Sequence, residues 1–249
     1  IPIMESTADY VLKNASHPPA NFAHLAALTQ SAAVLNVQSA DNGSSCPVPG
    51  ASAAAVPKEL TGHLVGELEG FRSQDGGYSH ISKCEANGSA YAAYLSLQAY
   101  GYSGLAVPYP EKILKSLAKL RLPDGSYSNS ADQASGGTLA TAAAVVAVKS
   151  LGGKTDDASC GWLLRQACPQ GGFSAFENTG MPDLLSTAAA LFALKSCGCE
   201  LRSLKVPVTE FVQSLRDLES GGFRGFVFDT IPDVEYTFYA LLSLGALAD

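Results

Sequence analysis

One short phrase, two small residues followed by an aromatic, occurs four times in this chain: Gly76-Gly77-Tyr78, Gly125-Ser126-Tyr127, Gly171-Gly172-Phe173 and Gly221-Gly222-Phe223. Its first glycines lie 49, 46 and 50 residues apart. In the last three copies a threonine (Thr141, Thr187, Thr237) stands 15 residues after the second small residue, whereas the first copy has Ala90 after 13. A fixed period in the forties means a repeat architecture, in which each unit buries its apolar face against its neighbours.

An amphipathic segment precedes each phrase (57–73, 110–122, 156–168 and 207–218). In 110–122 the apolar Ile113, Leu114, Leu117 and Leu120 fall at helical spacing, while Glu111, Lys112, Lys115, Lys119 and Arg121 occupy the rest. The pattern predicts outer helices with one wet face. The segments after each phrase differ: 89–100, 138–148 and 184–194 contain no Asp, Glu, Lys or Arg, and 234–247 contains only Glu235. Helices apolar all round are expected to be buried all round. At roughly 11 to 14 residues they are too short for a bilayer, which takes about 20, so protein must bury them. Tight turns between the helices predict positive φ at Gly172 and Gly222, and Pro57, Pro110, Pro182, Pro207 and Pro232 mark helix starts. Upstream, 5–15 and 21–39 read as one more helix pair joined by His17-Pro18-Pro19, and 39–55 reads as a loop. About ten helices result, expected to form a ring of inner helices wrapped by outer ones, whose inner ends frame a cavity.

At 249 residues and 47% apolar content, a single domain over 1–249 is expected, with 1–56 an atypical helix pair and loop and 57–249 four repeats. The net charge of −7 and the absence of any basic cluster argue against a nucleic-acid partner. No apolar run is long enough for a membrane span, and no secretory signal is read; Met4 as a native start and Ile1 as a processed terminus are alternative readings. A cytoplasmic protein is expected. Secretion is the alternative, raised by the sequons at Asn14, Asn42 and Asn87. The six cysteines show no framework spacing: Cys160, Cys168, Cys197 and Cys199 sit on or beside helices, and Cys46 and Cys84 in loops. Reduced, mostly buried thiols are expected.

Gly-Gly-Phe, a polar loop, then Asp-x-x-x-Thr opening an Ala/Leu-rich helix (Asp183 to Thr187, Asp233 to Thr237) resembles the repeat of protein prenyltransferase β-subunits and of squalene and terpene cyclases. In style it is most similar to the Rab geranylgeranyltransferase β-subunit and its short bacterial relatives. The resemblance covers about residues 57–249. It implies an all-α fold, an α/α toroid, here of about five helix pairs against the family's usual six, around an apolar cavity for an isoprenoid. In the prenyltransferases zinc is held by an Asp, a Cys two positions later and a His three positions after the matching Asp of the next repeat. Here Asp183 keeps the first position, but Leu185 and Tyr236 stand at the others. No zinc of that type, and no other cofactor, is expected. The Asp-x-Asp-Asp acid of the cyclases does not occur either.

An acidic and aromatic cluster is left at the expected cavity mouth. Asp233, Glu235 and Tyr236 are the candidate catalytic residues, one acid donating a proton and the tyrosine ring facing developing cations. Asp183, Tyr91, Tyr94, Phe192, Phe238 and Tyr239 are candidate ligand-lining residues. Each has a plainer reading: Asp183 and Asp233 as helix caps, Glu235 as a solvated charge, the aromatics as core. Two functions compete, a metal-independent isoprenoid cyclase or transferase, and a non-catalytic toroid that carries lipid or docks a helical protein partner. Neither a nucleophile elbow nor a phosphate loop is present.

Overall fold

The computed structural model describes residues 10–15, 17, 19–41 and 57–248. Residues 5–9 of the first expected helix, most of the loop 39–55, and Cys46 lie outside the described residues. Residues 10–15 are helical (α1) and are followed by α2 (Phe22–Asp41), α3 (Lys58–Glu69), α4 (Ala90–Tyr102), α5 (Pro110–Lys119), α6 (Thr138–Ser150), α7 (Asp157–Arg165), β1 (Phe173–Ser174), β2 (Pro182–Asp183), α8 (Leu184–Ser196), α9 (Arg202–Ser214) and α10 (Val234–Leu247). The antiparallel β1–β2 pair sets Phe173 opposite Asp183 and Ser174 opposite Pro182. Outer and inner helices alternate as α3–α4, α5–α6, α7–α8 and α9–α10, and the chain groups into two compact units, Ile1–Ser116 and Leu117–Asp249.

Each glycine phrase is a tight reversal built in one way. A residue leaving the outer helix pairs with the phrase's aromatic: Arg72 with Tyr78, Arg121 with Tyr127, Ala167 with Phe173, Arg216 with Phe223. The loop closes by amide donation from Ser73 to Gly77 (3.0 Å), Leu122 to Ser126 (2.8 Å), Cys168 to Gly172 (2.9 Å) and Asp217 to Gly222 (2.8 Å). The first glycine takes a positive φ in every copy, +91° at Gly76, +93° at Gly125, +89° at Gly171 and +74° at Gly221. Gly172 does so too, but Gly222 does not. The last reversal has one extra residue before its first glycine, and its second glycine, like Gly77 and Ser126, is not left-handed.

The threonine spacing is a hydrogen bond. Oγ1 of Thr141, Thr187 and Thr237 accepts the N–H of Tyr127 (3.0 Å), Phe173 (2.9 Å) and Phe223 (3.0 Å). Thr187 and Thr237 also donate to the carbonyls of Asp183 (2.6 Å) and Asp233 (2.7 Å). The aromatics Tyr127, Phe173 and Phe223 are buried, so without this bond their amides would face apolar surroundings unpaired.

In the first unit α2 packs on α3 and α4, with Phe22 edge-on to Phe71 at 5.3 Å. A polar clamp ties the α3 end to its reversal and to α4. Glu69 receives Arg72 Nε (2.8 Å), the Tyr100 hydroxyl (2.6 Å) and the Tyr78 hydroxyl, while the Arg72 guanidinium lies over the Tyr78 ring, 4.5 Å from its centre. In the second unit α8 is central: α6 and α10 pack on it, α7 packs on α6 and α8, and α9 packs on α10. The first glycines let the next outer helix come close. A Cβ at Gly76 would lie 2.5 Å from Lys112 Cβ of α5, at Gly125 2.7 Å from the Ala158 carbonyl of α7, and at Gly171 2.1 Å from the Pro207 carbonyl oxygen of α9. At Gly221 nothing lies within 4 Å.

Three further expectations are corrected. Pro207 does not start a helix: α9 begins at Arg202 and carries Pro207 inside it. Packing offsets the lost amide bond there, since Pro207 abuts Gly171 and Val208, Phe211 and Val212 are buried. Burial all round holds for α6, whose Ala140 to Val148 are all buried, but not for α10. There Ala240, Ser243, Ala246 and Leu247 are buried, while Val234 (86%), Phe238 (58%) and Leu241 (61%) stay exposed. Among the described elements of its own unit, α10 packs on α8 and α9. Lastly, the described cysteines are not mostly buried. Cys84 is exposed in a loop, and Cys160, Cys168, Cys197 and Cys199 are half-buried.

Candidate functional site

Asp183 opens α8, and Asp233, Glu235 and Tyr236 open α10. Both aspartates cap their helices. Asp183 accepts the Ser186 N–H on Oδ1 (2.7 Å) and the Ser186 hydroxyl on Oδ2 (2.7 Å), and Asp233 Oδ1 accepts the Tyr236 N–H (2.8 Å). A carboxylate there satisfies free amides and meets the positive end of the helix dipole.

The two helix starts are joined through the loop between Phe223 and Asp233. Leu184 N–H donates to Gly225 O (2.8 Å). The Tyr236 ring lies against Gly225, where a Cβ would come within 2.4 Å of Tyr236 Cζ. Asp229 fixes the same loop, its Oδ2 accepting the amides of Gly225 (3.0 Å) and Phe226 (3.3 Å). Tyr236 therefore stands among carboxylates. Its phenol is raised above the ordinary tyrosine value by burial first, then by Asp229, Asp233, Glu235 and Asp183. Glu235 is exposed and accepts the Tyr239 hydroxyl one helical turn on (3.1 Å).

Asp183 differs from its neighbours. Burial pushes its carboxyl above the usual carboxylate range, against the opposing bonds from Ser186 and the Leu185 amide. Asp233 and Glu235 are exposed.

Of the candidate lining residues in this unit, Phe192 on α8 and Tyr239 on α10 are half-buried, and Phe238 is exposed with its ring edge-on to Tyr239 at 5.4 Å. Tyr91 and Tyr94 belong to α4 in the other unit. Both are half-buried there, and burial raises the Tyr94 phenol, with smaller contributions from Tyr102 and Tyr91. Asp229 and Gly225 were not singled out from the sequence. Their signal, an acid four residues after a glycine in a loop, has no counterpart at fixed spacing in the other repeats.

Helix pairs joined by glycine reversals, with the inner helices α4, α8 and α10 capped by Ser89, Asp183 and Asp233, define an all-α repeat protein. The model of the prenyltransferase alpha-alpha toroid domain matches residues 5–175 and again 138–249. The chain belongs to this family, and an α/α toroid is its fold class. No curated protein matches the chain. Among solved structures it is similar to a protein from Actinoplanes (15% identity, TM-score 0.65, covering 98% of this chain and 74% of that one). A type II terpene cyclase from Scytonema, in complex with its product merosterolic acid A, matches at 14% identity and TM-score 0.59, over 91% of this chain and 78% of that one. The same cyclase in complex with its substrate geranylgeranyl dihydroxybenzoate gives a TM-score of 0.54 at 14% identity, with the same coverage. Candida albicans protein geranylgeranyltransferase-I complexed with GGPP matches at 16% identity and TM-score 0.49, over 70% of this chain and 51% of that one, so this chain spans about half its length.

The prenyltransferase zinc set does not fit these residues. Leu185 and Tyr236 offer neither thiolate nor imidazole, and among the described residues no group of three or more His, Cys, Asp or Glu side chains is placed to hold a metal ion. Among the same residues no helix is long and apolar enough to cross a membrane.

Proposed function

We propose that this chain holds an isoprenoid or another long apolar ligand against α8 and α10, without zinc. The observation that carries the reading is the open face of α10. Val234, Phe238 and Leu241 fall at i, i+4 and i+7, on one face of the helix, and all three are exposed. An apolar stripe of this kind marks a surface that a ligand or a partner covers. The Scytonema cyclase carries a geranylgeranyl substrate on a similar fold, and that ligand class suits the stripe.

At the start of α8 stands a carboxyl whose burial favours its protonated form. In the enzyme version Asp183 gives its proton to an alkene carbon of the ligand. The O–H bond breaks, a C–H bond forms, and the adjacent carbon becomes a cation facing the rings of Tyr236 and Tyr239. The carboxylate left behind keeps its two bonds from Ser186. Asp233 caps α10 and Glu235 orients Tyr239 in this scheme, so the donor role considered for them from sequence passes to Asp183.

The test is equilibrium binding of a fluorescent geranylgeranyl analogue to lipid-extracted protein, with organic extraction to detect products. Phe238→Asp should weaken binding about tenfold, the value of roughly 1.4 kcal/mol, without lowering Tm. Asp183→Asn should bind normally, since Asn caps about as well as Asp, but should not turn over. No saturable binding by the wild type would end this reading.

Gly221 favours a second reading. At the three earlier reversals the next outer helix fills the space over the first glycine; at Gly221 that space is open, and Leu218 in the same turn is 88% exposed. A helical partner seated there would make the chain an interaction scaffold. Leu218→Glu would then abolish partner binding and leave lipid binding intact.

A further inference from the structure

A cleft of about 540 Å³ opens in the second unit, between one repeat and the next. Leu122 and Asp124 of the second reversal, Ser135 before α6, Trp162 of α7, and Phe176 and Glu177 after β1 line it. Its walls are held from behind. The Thr138 amide donates to Ala175 O (2.9 Å) and its hydroxyl to Ser174 O (2.6 Å), which ties the start of α6 to the strand leading into Phe176. The Phe176 ring is 55% exposed, yet it rests on Gly137, where a Cβ would lie 3.1 Å from its Cε1. At Gly136 a Cβ would lie 2.1 Å from Ser126 Oγ.

Trp162 is 1% exposed, and no described group accepts its Nε1–H in a hydrogen bond. An N–H buried without an acceptor is costly, and packing does not require this one. On α7 and α9 the residues that meet the first glycine of a reversal are Ala158 and Pro207, and four residues after them stand Trp162 and Phe211. Phe211 fills the matching place with no polar atom. Asp124 shares the cleft with the indole, and its Oδ1 takes the Ser126 amide (3.0 Å) and the Ser126 hydroxyl (2.7 Å). Burial opposes the charge on Asp124, but these bonds and, behind them, the Trp162 N–H hold the carboxyl below its usual range. The indole and the carboxylate nevertheless do not meet in hydrogen-bonding geometry.

We propose that this cleft binds a pyranose sugar, one hydroxyl of which bridges Trp162 Nε1–H and the Asp124 carboxylate. A group at that point must accept from an N–H and donate to a carboxylate, and a hydroxyl does both through one oxygen. Asp124 and Glu177 repel an anion, and an ammonium has no lone pair with which to accept. Arg165 also sets its guanidinium against the Asp124 carbonyl (3.4 Å), which disfavours a second cation. The exposed Phe176 ring beside Leu122 suits a ligand with an apolar C–H face behind its hydroxyl edge, which is what a pyranose presents. The volume falls within the roughly 300–1,000 Å³ of small-molecule sites and far exceeds the share of about 30 Å³ taken by one water. None of the lining residues belongs to α8 or α10, so the site does not depend on the ligand reading above.

Trp162 is the only tryptophan of the chain. The whole chain labelled with ¹⁵N therefore gives one indole N–H cross-peak, and that peak reports this cleft. In titrations with the methyl glycosides of glucose, galactose, mannose and N-acetylglucosamine, at least one should move the peak saturably and carry its proton downfield, as a new acceptor does. Phe176→Ala should weaken that sugar about tenfold and, at an exposed position, leave the rest of the spectrum in place. Trp162→Phe copies the Phe211 arrangement and should fold but lose the sugar in calorimetry. If it does not fold, the wild-type titration and Phe176→Ala decide alone. No saturable shift with any of the four glycosides would mean that the cleft holds only water, and the site would be overturned. Full sugar binding by folded Trp162→Phe, a shift that Phe176→Ala leaves unchanged, or a shift produced by putrescine and not by the glycosides would each overturn it as well.

Discussion

Single atoms fix the repeats. The Thr187 hydroxyl is fully buried and holds the Phe173 amide to the Asp183 carbonyl. Thr187→Val should destabilise by about 1–3 kcal/mol because it leaves a buried amide unpaired, and Thr187→Ser should recover most of that in urea unfolding. Equal stability of the two variants would show that the hydroxyl contributes nothing. The first glycines separate two effects. Gly171→Ala and Gly221→Ala share the positive-φ penalty of about 1–2 kcal/mol, but only at Gly171 does the new methyl strike a backbone oxygen, 2.1 Å away. Gly171→Ala should therefore lose clearly more stability, and equal losses would contradict the close approach of α9. Titration gives a further test. Burial opposes the charge on Glu69, yet the bonds from Arg72, Tyr100 and Tyr78 outweigh it and hold the carboxyl below its usual range. A depressed folded value means stability that is complete above the unfolded pKa of about 4.3 and is lost as pH falls through the folded one. Glu69→Gln should flatten that acid-side loss. Asp183 has the opposite sign: its raised value removes stability as pH rises from the unfolded value through the folded one, and Asp183→Asn should remove that slope.

Among the elements, composition reported burial well for α6 and α8. The Ala-rich stretches Ala142 to Ala144 and Ala188 to Ala190 predict buried helix, and except for half-buried Ala189 they are buried. The same reading failed for α10, since an uncharged segment reveals that a helix is made to be covered but not what covers it. Pro207 misled for a related reason: a local rule placed it at a helix start, and packing against Gly171 overrode the rule. The site was legible to the same depth. Asp183, Asp233 and Tyr236 could be placed at helix starts because the repeat numbers those positions. Asp229 and Gly225 could not, because the loop that carries them has no period, and the raised carboxyl of Asp183 depends on burial depth that one-dimensional spacing does not contain. The cap roles are separable by experiment. Asp183→Ala should lose about 1 kcal/mol relative to Asp183→Asn in thermal unfolding, since only Asn restores the bond to the Ser186 amide.

For the molecule as a whole, the period was enough to reach the family, and the family does not supply the chemistry. Apolar surface is left open at the fourth repeat: Leu218, Val227, Phe228, Ile231, Val234, Phe238 and Leu241 are all exposed. Scattered exposed apolar residues need no explanation, but seven from Leu218 to Leu241, three of them along one helix face, mark a surface made to be covered. The native protein should therefore bind an anionic hydrophobic dye such as anilinonaphthalene sulfonate well below its unfolding temperature. Phe238→Lys and Leu241→Lys together should remove most of that signal if the dye sits on the α10 stripe, and Leu218→Lys with Phe228→Lys should do so if it sits at the open reversal. Either pair should leave Tm within a degree or two, because exposed substitutions rarely change stability by more than about 0.5 kcal/mol. A geranylgeranyl analogue that displaces the dye from the first surface only would tie the ligand to α10 and leave Gly221 and its surroundings for a protein partner. Absence of dye binding by the folded protein would mean that this apolar surface is covered in solution, and both functional readings that depend on it would fall together.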